Sequence, residues 1–164
     1  MDELQKTILD HLEQEARVSN AELAVMLGTS EQNVSQAIAG LERDGVILKY
    51  TAVIDEEKLD NHDRVQALIE VRITPQRDRG FDGIAERIAR YEEVQTVYLS
   101  SGSYDLMVVM QGRSMRDIAQ FVSSRLSTID GVLSTATHFV LKKYKDQGVC
   151  YGQTSEDTRL KVTP

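Results

Sequence analysis

The chain has 164 residues, of which 41% are hydrophobic and 27% charged, and its formal net charge is −7 at pH 7. That length suits one domain or two small ones, the apolar share supports a folded core, and the acidic balance supplies no broad basic surface for nucleic acid. No apolar run reaches the roughly 20 residues that span a bilayer, the acidic start Met1-Asp2-Glu3-Leu4 does not read as a secretory leader, and the single Cys150 excludes an internal disulfide or a cysteine metal cluster.

A cytoplasmic location is therefore expected. Leu4, Ile8, Leu9 and Leu12 recur at helical spacing behind an Asp2 cap, with Ala16 and Val18 following against the same core. Ser19 and Glu22 then spell an S-x-x-E capping box that opens a second helix packed through Leu23, Ala24 and Leu27. Gly28 ends it where the chain must turn with positive φ. Thr29 or Ser30 can cap a third helix, whose Val34, Ala37, Ile38 and Leu41 recur at 3.6-residue spacing until Gly45. Three helices with this turn make a DNA-reading helix-turn-helix, although a plain helical hairpin would need the same glycine and the same stripes.

The third helix offers Gln32, Asn33, Ser35 and Gln36 to solvent, and Gln and Asn can read adenine edges in the major groove. Arg43 near its end and Lys49 beyond it are the candidate phosphate contacts. Residues 1–50 nevertheless carry nine acidic groups against four basic ones, a net −5 where phosphate neutralisation would favour the opposite sign. Two bound copies, or Arg17 and Lys49 at the edges, would have to supply the missing attraction.

After Gly45 the period changes. Val46 to Ile54 (VILKYTAVI) is rich in β-branched residues and predicts a strand leaving a domain of residues 1–54. Residues 55–64 (DEEKLDNHDR) read as a charged linker with room for one helical turn. Residues 65–145 follow the order strand, helix, strand, strand, helix, strand. The strands are placed at Gln66–Thr74, Val94–Ser100, Leu106–Gln111 and Val132–Tyr144. The first helix is marked by Phe81, Ile84, Ala85 and Ile88. The second is marked by Ser114 as cap with Ile118, Phe121, Val122 and Leu126. This is the split βαβ order of ferredoxin-like domains, so the fold class is α+β, with a winged helix-turn-helix ahead of a βαββαβ domain. Residues 146–164 form a polar tail in which Leu160 and Val162 could add a strand to a neighbour.

In Leu106-Met107-Val108-Val109-Met110 both alternating sets are apolar, and Phe139-Val140-Leu141 repeats the feature. Two helices cover one face of a sheet, so the other face is expected to meet a second subunit packed sheet to sheet, although a sheet with ordinary apolar exposure would carry the same residues.

Taken together, the helix-turn-helix, the run Leu41-Glu42-Arg43-Asp44-Gly45-Val46-Ile47 leading into Tyr50-Thr51-Ala52-Val53, the Gly102-Ser103-Tyr104-Asp105 turn and the Thr135-Ala136-Thr137 strand resemble the Lrp/AsnC (feast/famine) transcriptional regulators over residues 1 to about 145. The resemblance implies a regulator that binds double-stranded DNA and senses an amino acid or related small metabolite. It also implies dimers that assemble further, commonly into octamers, with the effector between the sensing domains of neighbouring dimers. The family's reading helices usually carry Arg or Lys, and Glu31 to Gly40 carries neither.

The candidate effector residues are Gly102, Ser103, Tyr104, Asp105, Thr135 and Thr137. A zwitterion needs donors for its carboxylate and an acceptor for its ammonium. The backbone at Gly102 can donate, Asp105 can accept, and either threonine can do both. An ordinary hairpin would use Gly102 and Asp105 equally well. The turn is expected to be exposed, with Asp105 contributing little to the core. His138 reads as a packed or interfacial residue, and with His11 and His62 it makes no metal-ligand spacing, so neither metal nor cofactor is expected.

Two other readings remain. One is a metabolite-binding oligomer whose first domain has lost DNA affinity. The other is an enzyme like the siroheme decarboxylases, which share the two-part layout but carry histidine near the middle strands, where Val97 to Asp105 has none.

Overall fold

The computed structural model describes residues 1–59, 64–75, 77 and 79–152. The chain divides into two compact units that meet at Ile54 and Asp55 in the sequence. The first holds α1 (Glu3–Gln14), α2 (Asn20–Leu27) and α3 (Glu31–Arg43). Each helix starts on a side-chain cap that satisfies an N-terminal amide. Asp2 accepts from the Gln5 N–H at 2.8 Å while Gln5 accepts from the Asp2 N–H at 3.0 Å, closing a capping box on α1. Ser19 and Glu22 close the box on α2, and Ser30 rather than Thr29 caps α3 through the Asn33 N–H at 3.2 Å. Gly28 turns the chain between them at φ +62°, with open space where a side chain would stand. Ile8, Leu23, Ala24 and Val34 form the buried centre, ringed by Leu4, Leu12, Val18, Leu27, Ala37 and Ile38.

The strand expected from Val46 to Ile54 is not formed. The Val46 and Ile47 amides fold back onto the Leu41 carbonyl at 2.9 and 3.1 Å, and the backbone beyond them has no ladder partner among the described residues. Strand propensity expresses fit to a pleated, half-buried surface, and this unit offers none. Leu48 is left 87% exposed and Ile54 56%.

In the second unit a short 3-10 turn, Glu56–Lys58, precedes β1 (Val65–Ile73), α4 (Asp82–Ala89), β2 (Val94–Leu99), β3 (Leu106–Gly112), α5 (Met115–Phe121) and β4 (Val132–Phe139). The strands form one antiparallel sheet in the order β2-β3-β1-β4. The βαββαβ order and the α+β class thus follow the sequence pattern. Ala67, Ile69, Val71 and Ile73 of β1 and Leu106, Val108 and Met110 of β3 are buried against Ile84 and Ile88 of α4 and Ile118 and Phe121 of α5.

Two elements differ from expectation. The second helix does not run regularly to Leu126, because α5 loosens into a π turn over Val122–Leu126. The last strand stops at Phe139 instead of continuing to Tyr144, and a separate hairpin follows, β5 (Lys145–Asp146) and β6 (Val149–Cys150). Gln147 and Gly148 turn that hairpin with φ of 46° and 82°. Positive φ at two successive residues is a turn signal that apolar alternation does not reveal. Linker residues 60–63 (with His62) and tail residues 153–164 (with Leu160 and Val162) lie outside the described residues.

Candidate DNA-reading and effector sites

Helix α3 buries Val34 and Leu41 and half-buries Ala37 and Ile38, which fixes what it shows to solvent. Gln32, Gln36 and Arg43 fall opposite that stripe at helical steps, with Asn33 and Ser35 on its flanks, and all five are exposed. Asn33 is partly committed, because its amide nitrogen donates to the Thr29 hydroxyl at 3.1 Å. Arg43 holds its own neighbour, Nε to the Asp44 carboxylate at 3.3 Å, so a phosphate must compete with that carboxylate. Lys49 is exposed on the exit segment, apart from the helix. That segment is tied to α3 by the Tyr50 hydroxyl, which donates to Glu42 at 3.0 Å. Partial burial, and then the Glu42 carboxylate, push the Tyr50 hydroxyl above its usual range. The face is neutral and polar, with its positive charge confined to the C-terminal end.

The candidate effector turn joins β2 to β3. Ser101, Gly102 and Ser103 are exposed, and Tyr104 and Asp105 half-buried. Gly102 has φ +143° and nothing within 4 Å of a Cβ position, so its backbone is open to approach. Asp105, however, is built into the fold. Its carboxylate accepts from the Ile73 N–H at 2.8 Å, and its own N–H donates to the Val71 carbonyl at 3.0 Å. These bonds hold the turn to the end of β1, where the β1–β4 register shifts between Arg72 and Ile73. The expectation that Asp105 contributes little to the fold is therefore corrected. A side-chain bond across 32 residues leaves no periodic trace in the sequence.

Thr135 and Thr137 pair with Val71 and Ile69 on the other side of β1. Thr135 and Ser127 hydroxyls lie 3.4 Å apart, within reach of a hydrogen bond. Asp105 and Thr135 thus stand at one end of the sheet with β1 between them, about two strand spacings or roughly 9–10 Å apart. Within one chain they do not close a pocket around a small molecule. A cleft of about 400 Å³ lies at the other end of the sheet, lined in part by Gln95, Gln111, Arg113, Asp117 and Phe121.

The face of the sheet away from the helices carries Leu68, Met107, Val109 and Ala136, with Thr96 and Tyr98 on β2. The two apolar sets of β3 are thereby separated. Leu106, Val108 and Met110 belong to the core, whereas Met107 and Val109 face outward. Phe139 packs with the core, so the outward set of β4 is Ser134, Ala136 and His138. Composition did not flag Glu70, whose carboxylate meets His138 Nε2 at 3.3 Å on this same face. Among the described residues no helix is long and apolar enough to cross a membrane, and no group of three or more His, Cys, Asp or Glu is placed to hold a metal.

Two family models match the chain, a winged helix-turn-helix DNA-binding model over residues 1–47 and the Lrp/AsnC ligand-binding domain over residues 66–150. The chain is 47% identical over 162 residues to the HTH-type transcriptional regulator YugG of Bacillus subtilis, covering 99% of this chain and 98% of that one. It is 32% identical over 145 residues to the HTH-type transcriptional regulator LrpA of Pyrococcus abyssi, covering 88% of this chain and 99% of its relative. Among solved structures it resembles the transcriptional regulator NMB0573 of Neisseria meningitidis in complex with L-Met. There the TM-score is 0.69 at 25% identity, with 89% of this chain and 93% of that one covered. With a capped helix-turn-helix in the first unit, a four-stranded antiparallel sheet in the second and relatives matching both, the chain belongs to the Lrp/AsnC family of helix-turn-helix transcriptional regulators.

Proposed function

We propose that this protein is a sequence-specific DNA-binding regulator that responds to an amino acid or a closely related metabolite. The observation that carries the reading is the neutral Gln32–Gln36 face of α3, presented by a capped helix-turn-helix and followed in the same chain by the Lrp/AsnC ligand-binding domain. Gln32, Asn33, Ser35 and Gln36 enter the major groove, and Arg43 and Lys49 meet phosphates. The effector binds at the Gly102–Asp105 turn with Thr135 or Thr137. Asp105 and Thr135 are separated by β1, which supports a site completed by a neighbouring subunit. The L-Met complex of the Neisseria regulator is in keeping with an amino-acid effector.

The protein dimerises through the open sheet face around Leu68, Met107 and Val109, and dimers assemble further, to octamers as the family resemblance implies. An effector that completes its pocket only in the assembly shifts assembly and DNA affinity together. One observation favours a second reading. The net −5 of residues 1–50 opposes phosphate, as in a metabolite-binding oligomer without DNA affinity. The deciding measurement is binding to fragments of the host's own regulatory DNA at low salt, with a calorimetric screen of the twenty amino acids beside it. Saturable binding to some fragments over others supports the regulator. Amino-acid binding with no DNA retention at low salt supports the second reading.

A further inference from the structure

The open sheet face is apolar at its centre, yet Glu70 lies on it between Met107 and Ala136 in the strand register. Its carboxylate is 3.3 Å from His138 Nε2, a residue on the edge strand β4 beside Leu68. In the single subunit both keep water, with side chains 34% and 57% exposed. The other ionisable groups that the four strands present on this face are Arg72, two residues further along β1, and Tyr98 on β2 opposite Met107. Among the described residues the basic side chain within 4 Å of the Glu70 carboxylate is His138, which makes an ion pair with it only when the imidazole carries a proton. The helices pack on the opposite face.

We propose that the dimer takes up protons as it forms, through the Glu70–His138 pair of each subunit, so that assembly strengthens as the pH falls from 8.5 to 6. This rests on the sheet-to-sheet dimer proposed above. A second sheet laid on this face removes water from Glu70, and a buried carboxylate without a cation is costly. Protonated His138 supplies that cation, and neutral imidazole does not. Histidine ordinarily titrates near pH 6.5, inside the range that cells experience. Stronger proton binding in the dimer gives stabilisation that is fully present below that range and fades as the pH rises through it. If each of two histidines binds its proton about fourfold more tightly in the dimer, the association constant rises about tenfold between pH 8.5 and pH 6.

The test is sedimentation velocity on the full-length protein from nanomolar to micromolar concentration at pH 6 and pH 8.5. Subunit exchange between isotope-labelled and unlabelled protein, read by native mass spectrometry, covers a dimer too tight to dilute apart. The expected result is a dimer about tenfold tighter, or correspondingly slower to exchange, at pH 6. Glu70→Gln and His138→Gln should each remove the pH dependence, and Glu70→Gln should make the dimer at pH 8.5 tighter than the parent because it deletes the unpaired charge. A parent dimer equally strong at both pH values overturns this inference while leaving the dimer intact. Persistence of the pH dependence in both variants overturns it as well. A parent protein monomeric at both pH values overturns the dimer reading beneath it.

Discussion

Asp105 holds the turn to β1 and is also the acceptor proposed for an effector ammonium, and the choice of substitution separates the two. Asp105→Ala removes the acceptor of the Ile73 N–H, and Ile73 is 3% exposed, so the amide is left unsatisfied at a cost of about 1–3 kcal/mol. Chemical denaturation should report that loss whether or not an effector exists. Asp105→Asn keeps an acceptor oxygen for Ile73 but loses the charge that would hold an ammonium. The expected outcome is near-parental stability with effector affinity sharply reduced in calorimetry, and unchanged affinity would remove Asp105 from the site. Gly102→Val meets no atom, and its penalty of about 1–3 kcal/mol comes from backbone at φ +143°. On the reading helix, Gln36→Ala should relax preference at one operator position and cost about 1–3 kcal/mol of binding to the preferred site. Arg43→Ala should weaken all sequences alike and flatten the dependence on salt, which competition assays at two ionic strengths separate.

At the scale of the element, the caps and the exit segment carry the expectations. Ser30→Ala deletes the bond that starts α3 and should cost about 1 kcal/mol, read from the thermal midpoint. On α2 the Ser19 hydroxyl and then its amide hold the Glu22 carboxyl below the usual carboxylate range. A lowered carboxyl contributes stability above its ordinary value of 4.5, and that contribution disappears as the pH falls through the lowered one. Glu22→Gln should therefore shrink the gap in stability between pH 7 and pH 3. Tyr50 has the opposite sense. Burial and Glu42 favour its neutral form, so its contribution holds below its ordinary value of 10.0 and weakens above it. Tyr50→Phe should release the exit segment from α3, and faster amide exchange over residues 47–54 is the corresponding measurement.

For the whole molecule, the two apolar sets of β3 give a clean pair of substitutions. Val108 is fully buried between sheet and helices, and an aspartate there has no partner, so Val108→Asp should fail to fold or aggregate. Val109 points to the open face, so Val109→Asp should give a folded monomer with normal circular dichroism and the sedimenting mass of a single chain. A Val109→Asp protein that still sediments with the mass of the parent assembly would rule out this face as the interface. The acidic first unit adds a further expectation. With few cations near DNA, binding should lose less affinity with rising salt than that of a protein making six to ten phosphate contacts.

The sequence by itself determined the helix-turn-helix, because caps, stripes and the Gly28 turn are local and short-ranged. Ser19 with Glu22, and Val34 with Leu41, state their roles within one or two turns of chain. It determined the βαββαβ order for the same reason, since periods of 2.0 and 3.6 are written along the strand and the helix. Run lengths were less legible, as the early end of β4 and the π turn after α5 show. Both are set by what the neighbouring element offers and by turn geometry rather than by side-chain period. Only the tertiary structure decided which apolar set of β3 faces the core, because two apolar sets carry no alternation to read. It also decided that Val46–Ile54 finds no strand partner among the described residues, since a strand exists only where another backbone accepts its hydrogen bonds. The bond from Asp105 to Ile73 and the contact of Glu70 with His138 join residues 32 and 68 positions apart. Such pairs are created by sheet register, and register is a property of the folded molecule.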